Sequence, residues 1–219
     1  MDRGDDMLTH DLDALSQTLA ESFPEPFGEE TDGARFQETI LRLLAEGSPV
    51  PVETIASATG QAASEVERVL GAGGAEMDEQ GRLVGLGLTI RETPHRFTVG
   101  GRSLYTWCAL DTLIYPAVLG RAQVESPCRA TGTPIRVEVT AAGVERVEPA
   151  EAVVSIVRPR PGLPIRASFC NDVHFFRSAD AAAPWLSRHP GAIVLPVADA
   201  FELGARLAAS LYPGVNAPS

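Results

Sequence analysis

At 219 residues, with 44% hydrophobic and 21% charged positions, the chain is long enough for one large domain or a large and a small one, and too apolar to be disordered. Its formal net charge is −11 and all 18 basic residues are arginine, so the basic patch that phosphate neutralisation requires is missing and nucleic acid is not an expected partner. The opening MDRGDDMLTHDLDAL lacks the apolar core of a signal peptide, and no apolar run approaches the roughly 20 residues of a membrane span, so no membrane contact is expected and the expected compartment is the cytoplasm. Thiols stay reduced there, and the three cysteines point to reactive, metal-binding or inert thiols rather than disulfides.

In chain order, LTHDLDALSQTLAES reads as an amphipathic helix, which FPEPFGEE breaks at Pro24, Pro26 and Gly28. ARFQETILRLLAEG puts Phe36, Ile40, Leu43 and Leu44 on one helical face and stops at Gly47. SPVPVETIASATG reads as a second helix after a proline entry. QAASEVERVLGAGG reads as a third, with Val66, Val69 and Leu70 inward and glycines at its end. AEMDEQGRLVGLGLTI reads as a hairpin with its turn over Asp78 to Gly81 and Leu83, Leu86 and Leu88 at apolar strand positions. Three helices and a hairpin follow the order of a winged helix. Its third helix offers one arginine against two glutamates, which suits a packing and lid module rather than a DNA reader.

From Thr93 the pattern changes. HRFTVGGRSLYTW reads as two strands joined at Gly100-Gly101. WCALDTLIYPAVLG reads as a helix with a proline inside it, and RAQVESPC, TPIRVEVTAAGVERVEP and AVVSIVRP supply further strands. After the proline-rich loop PRPGLPIR comes RASFCNDVHFF. SADAAAPWLSRHPG is a short helix with Ser178 as N-cap, and AIVLPVADAFELGARLAASLY closes with a strand and a helix. The fold class expected is α+β: an arm over 1–30, a winged-helix-like unit over 31–92, a domain of small antiparallel sheets flanked by helices over 93–212, and a frayed tail over 213–219.

In TWCALDTL, a helix would set Cys108 and Asp111 on one face. Near a helix start Cys108 would be favoured as thiolate. Asp111, desolvated among apolar neighbours, would bind its proton more tightly and could deliver it. A buried small hydrophobe beside a helix-face acid fits the same pattern. Cys170 precedes His174 by four, a spacing for joint metal ligation on a helix, but VHFF suits a strand and His174 then serves as a structural hydrogen-bonding residue. Cys128, beside a TGTP turn, reads as a packing residue or a third soft ligand. His10, His95 and His189 show no partner in the pattern. No Cys-x-x-Cys, phosphate loop or G-x-S-x-G elbow occurs.

Taken together, LYTWCALDTLIYPAVLGRAQVES, CRATGTP, RASFCNDVHFF and PGAIVLPVADAFELG, with GRLVGLGLTIRET in the wing, resemble the organomercurial lyase (alkylmercury lyase) family of bacterial mercury resistance. The resemblance runs from about Arg35 to about Leu211 and is strongest from Leu104 to Phe176. It implies cleavage of a carbon–mercury bond by protonation, with Cys108, Asp111 and Cys170 as the catalytic set and residues 93–212 as the catalytic domain. It implies Hg(II) held as product on Cys108 and Cys170, with Asp111 a further candidate ligand, and Cys128 as structural. Trp107 and Phe169 are expected to line the substrate pocket. Where many members carry SFCCHVHFF, this chain has Asn171 in place of the second cysteine.

The chemistry implied needs no organic cofactor or permanent metal. It needs an organomercurial substrate, low-molecular-weight thiols for turnover and a receiver for Hg(II) such as a mercuric reductase. The competing reading is a thiol-based soft-metal binder or winged-helix sensor without catalysis. A relative that kept the fold and lost the activity is a third reading, against which the intact Cys108, Asp111 and Cys170 set counts.

Overall fold

The computed structural model describes residues 11–22 and 33–212. The chain break expected at Pro24, Pro26 and Gly28, His10, and the tail expected over 213–219 lie outside the described residues. Helix α1 (Leu12–Ser22) begins where the Asp11 carboxyl accepts the Asp13 and Ala14 N–H groups at 3.1 and 3.0 Å. Helix α2 (Gly33–Ala45) buries Phe36, Ile40, Leu41 and Leu44. Helix α3 (Val52–Thr59) follows Pro51 and stops at Gly60, and α4 (Ala63–Ala72) turns Val66, Val69 and Leu70 inward. Strands β1 (Glu76–Met77) and β2 (Leu83–Leu86) pair around the turn at Asp78, whose carboxyl accepts the Gln80 and Arg82 N–H groups at 3.0 and 2.9 Å. Helices and hairpin follow the winged-helix order expected.

The wing continues into the second half of the chain. Strand β3 (Leu88–Thr89) folds back on β2 and pairs on its other side with β5 (Arg102–Thr106), the partner of β4 (His95–Val99). Strands β6 (Ala122–Pro127), β7 (Pro134–Thr140) and β8 (Gly143–Glu148) complete one antiparallel eight-stranded sheet, ordered β1-β2-β3-β5-β4-β6-β7-β8. Strand β6 shows the alternation that gives such a sheet one buried face: Ala122, Val124 and Ser126 are inside, Gln123, Glu125 and Pro127 outside. A smaller sheet holds β9 (Val153–Ile156), buried at all four positions, between β10 (Phe175–Phe176) and β11 (Ile193–Pro196).

The helix expected through WCALDTLIYPAVLG is instead two single turns, α5 (Asp111–Ile114) and α6 (Pro116–Leu119). Pro116 has no N–H to offer the preceding turn, and its ring excludes a continuous helix, so it takes the first position of α6. The remaining helices are α7 (Ile165–Ser168), α8 (Ala179–Leu186) and α9 (Val197–Leu211). Ser178 caps α8 by accepting the Ala181 N–H at 3.2 Å. Among the described residues no helix is long and apolar enough to cross a membrane.

Helix α9 braces α5 from behind. A Cβ at Gly204 would meet Ile114 Cγ1 at 3.3 Å and the Leu113 backbone at 3.4 Å, so the small residue sets how closely the two helices approach. Gly204→Ala should therefore be close to neutral, its gain in helix propensity offset by the tight contact. Gly204→Val should cost about 1–3 kcal/mol through overpacking, read as a lower urea midpoint with an unchanged slope.

Candidate active site

Two segments far apart in sequence meet at one point. The first leaves β5 through Trp107–Leu110 and enters α5. The second runs from α7 into a 3-10 turn at Cys170–Asp172. The Ala109 N–H donates to the Val173 carbonyl at 3.1 Å and ties them together, while the Trp107 N–H donates to the Gly87 carbonyl of the wing at 2.8 Å. The result is one cluster: the sulfurs of Cys108 and Cys170 and a carboxylate oxygen of Asp111 all lie within 4.8 Å of one another. All three cysteines of the chain are free thiols.

Cys108 and Asp111 hold each other. The Cys108 N–H donates to Asp111 Oδ2 at 3.0 Å, and the Asp111 N–H faces the Cys108 sulfur. The Cys108 thiol is in hydrogen-bond reach of both the Asp111 carboxyl and Cys170. Burial pushes the Asp111 carboxyl up to about 6, and hydrogen bonds from the Cys108 thiol and N–H and the Tyr115 hydroxyl keep it from going higher. Burial, the bond to Cys170 and the nearby negative charge of Asp111 push the Cys108 thiol well above its ordinary value.

This overturns the expectation of a helix-favoured Cys108 thiolate. The helix begins at Asp111, three residues after the thiol, and is a single turn long, so its dipole cannot offset complete burial. The proton stays on the cluster until something displaces it.

Asp111 and Cys170 open onto a cavity of about 150 Å³. Trp107 and Phe169 stand in its wall. The opposite wall comes from the helical unit: Gln37, Ile40 and Leu41 of α2, Val69 of α4, and Leu86 and Gly87 of the wing. Glu76 of the wing sits beside the wall, accepting the Thr89 hydroxyl at 2.7 Å and Trp107 Nε1 at 3.2 Å and pairing with Arg166 of α7. The Arg166 guanidinium also lies over the Trp107 ring, 4.9 Å from its centroid. Burial works against the Glu76 charge, but the bonds from Thr89, Arg166 and Trp107 hold its carboxyl below the usual range.

The other candidates lie elsewhere. Cys128 is buried outside the cluster, its sulfur accepting the Arg177 N–H at 3.3 Å. Burial would raise the Cys128 thiol, yet the Thr131 hydroxyl and the N–H groups of Arg177, Ala130 and Thr131 bring it below its ordinary value. His174 does not join Cys170, because the 3-10 turn gives way to β10; it stacks on His95, centroids 6.3 Å apart. His95 and His189 do have partners: His95 Nδ1 meets the Ser126 hydroxyl at 2.8 Å, and His189 Nδ1 the Trp185 carbonyl at 2.7 Å. Burial drives the His95 ring down to about 3 and the His174 ring to about 4, so both are neutral at pH 7. Asn171 is exposed.

Tyr115 and Tyr212, which both line the cavity, and Glu76 escaped the sequence reading. Tyr115 follows Asp111 by four, a helical spacing that would have found it. Nothing local marks Tyr212 or Glu76, which arrive from other elements.

Comparison with known proteins finds relatives of both halves of the chain. Residues 14–87 match a family model described as the helix-turn-helix domain of alkylmercury lyase, and residues 88–209 match the alkylmercury lyase model itself. An alkylmercury lyase of Streptomyces lividans is 50% identical over 212 residues, covering 94% of this chain and 99% of that protein. One of Staphylococcus epidermidis is 55% identical over 172 residues, 78% of this chain and 80% of its own. The crystal structure of the mercury-bound form of MerB2 superposes with a TM-score of 0.74 at 25% identity, covering 91% of this chain and 98% of the other. With both halves matched and half of the positions shared with a full-length relative, the chain belongs to the alkylmercury lyase family.

Proposed function

We propose that the chain cleaves the carbon–mercury bond of organomercurials by protonolysis, releasing a hydrocarbon and Hg(II) in mercury detoxification, and that Cys108, Asp111 and Cys170 carry out the reaction. The observation that supports these roles most directly is the meeting of two soft thiols and one carboxyl of raised proton affinity at the end of an apolar cavity. Thiolates are the softest protein ligands and Hg(II) is a very soft ion. An apolar cavity of about 150 Å³ holds a benzene ring, which suits small alkyl and aryl mercurials.

The positions give the steps an order. Cys170 borders the cavity, so it takes the R–Hg group first, displacing the carrier thiol with loss of its own proton. Cys108 lies behind, bonded to Asp111. As its sulfur attacks mercury, its proton passes to the Asp111 carboxylate. Two sulfurs now donate electron density to mercury and weaken the bond to carbon. Asp111 returns the proton to the carbon as that bond breaks, the electron pair leaving with the carbon. The hydrocarbon departs and Hg(II) remains on Cys108 and Cys170, with Asp111 placed to contribute an oxygen. Exclusion of water keeps the carboxyl an effective acid and the thiols from losing protons prematurely.

Each proton in this scheme comes from a side chain of the centre, so the reading requires no organic cofactor or permanent metal. Low-molecular-weight thiols of the cytoplasm would strip the product for transfer to a mercuric reductase. A sensor without catalysis is the weaker reading. Helix α4, which would have to read DNA, presents on its exposed face Glu67 and a single arginine, Arg68, already paired with Glu65.

With phenylmercury and excess thiol, Cys108→Ala and Cys170→Ala should each lower benzene release by at least about a thousandfold. Benzene release by Cys170→Ala at the wild-type rate would sink the assignment. Asp111→Ala should retain bound mercury without releasing benzene. Cys128→Ala should lose mainly stability; a folded but inactive variant would give Cys128 a different role.

The pH dependence follows from the raised carboxyl. Below about pH 6 Asp111 is already protonated and cannot take the Cys108 proton, so benzene release should fall on the acid side with an apparent pKa near 6. The same shift bears on stability. A carboxyl whose folded pKa lies above its ordinary 3.8 favours folding most at low pH, and that advantage is lost as pH rises through about 6. Asp111→Asn escapes the loss. Its urea midpoint should exceed that of the wild type at pH 8 and converge with it below pH 4.

A further inference from the structure

Tyr115 borders the centre, and the reaction described above leaves it unused. It closes α5: its N–H donates to the Asp111 carbonyl at 3.1 Å, so the two side chains project from one face and both border the cavity. Its hydroxyl is located by a glycine of the wing. A Cβ built on Gly87 would lie 1.9 Å from the Tyr115 oxygen, and Gly87 has a φ of +75°. A residue without a side chain, in a conformation that favours glycine, therefore leaves a slot that the hydroxyl fills. The Gly87 carbonyl meanwhile accepts the Trp107 N–H at 2.8 Å, which anchors the slot to the residue beside Cys108. Phe97 meets the Tyr115 ring edge-on, centroids 6.4 Å apart at 85°, and fixes its plane.

We propose that Tyr115 is a positioning residue for protonolysis: lodged against Gly87, its hydroxyl donates a hydrogen bond to the Asp111 carboxyl and turns the carboxyl's proton-carrying face toward Cys108 and Cys170. The proposal rests on Asp111 being the proton carrier. A carboxylate offers about four lone-pair sites. The N–H groups of Cys108 and Trp107 and the Tyr115 hydroxyl reach three of them, and the Cys108 thiol reaches the fourth, the one through which its proton passes. Burial and the Asp111 charge push the phenol well above its ordinary value, so the hydroxyl keeps its proton and acts as a donor throughout. Without it the carboxyl is free to turn about χ2, a broad torsion, and the proton no longer points at the carbon–mercury bond.

Tyr115→Phe in the full chain tests this. The kcat for benzene release from phenylmercury should fall about 10–100-fold, with KM within about threefold, as for an interaction that acts at the transition state. The resting enzyme supplies a second readout: below about pH 6, where Asp111 is protonated, its infrared carbonyl band, isolated by isotope labelling, should shift to higher frequency in Tyr115→Phe as the hydrogen bond is lost. A wild-type kcat, a loss confined to KM, or an unmoved carbonyl band would overturn the proposal.

Should Tyr115→Phe fail to fold, the wild type still gives an answer. The Tyr115 hydroxyl proton should resonate downfield, exchange slowly, and move upfield in Asp111→Asn; a resonance indifferent to that change would overturn the proposal. Absence of benzene from the wild-type enzyme would instead overturn the functional reading, leaving the infrared and proton measurements to judge the Tyr115–Asp111 bond alone.

Discussion

Burying one carboxyl against two thiols is the constraint on which the rest of the structure depends. In water Asp111 would be fully ionised at neutral pH and Cys108 would be a mildly acidic thiol. In the cluster burial raises both; the Asp111 charge disfavours a Cys108 thiolate, while the Cys108 thiol and N–H favour the Asp111 carboxylate. The chain must hold three such groups together, with Cys108 and Cys170 buried and Asp111 at the cavity wall. It does so with backbone bonds, from the Cys108 N–H to Asp111 and from the Ala109 N–H to Val173, whose donors stay buried and paired. A carboxylate is thereby kept basic enough, at about 6, to take the Cys108 proton and pass it on, which a solvated aspartate does poorly.

The helical unit serves that constraint. A winged helix exposes its third helix to DNA. Here α4 keeps an exposed face with Glu67 and Arg68, the latter paired with Glu65, while its inner face, α2 and the wing line the cavity. The continuity of β3 with β5 makes the wing part of the main sheet rather than a mobile appendage. Glu76 and Arg166 add a polar contact between wing and α7 at the edge of the cavity, each also engaging Trp107. Helix α9 supports the other side through Gly204, where only a small residue lets it approach α5. An architecture associated with nucleic-acid reading thus supplies walls of the cavity beside Asp111 and Cys170.

The local pattern carried most of the elements. Alternation along β6 and β7, the Gly100-Gly101 turn, the Ser178 cap and the inward Val66, Val69 and Leu70 were legible because each depends on neighbours within a few residues. The extent of the helix after Trp107 was not, because Pro116 divides it into two turns and the first of them begins only at Asp111. The helix-dipole argument for Cys108 failed for the same reason. Partners for His95 and His189 were invisible to pattern, since each is a single atom brought in by folding.

What the sequence by itself determined is the fold class and, through the ordered motifs around Cys108, Asp111, Cys128 and Cys170, the family: residue identity and short-range order are properties of a linear chain. What only the tertiary structure decided is which of these groups meet and in what protonation state. The pairing of Cys108 with Cys170 spans the strands between them, and the wall that dries the centre comes from α2, α4 and the wing. Burial, and with it the raised carboxyl of Asp111, is a sum over neighbours from every part of the chain, so no stretch of sequence contains it.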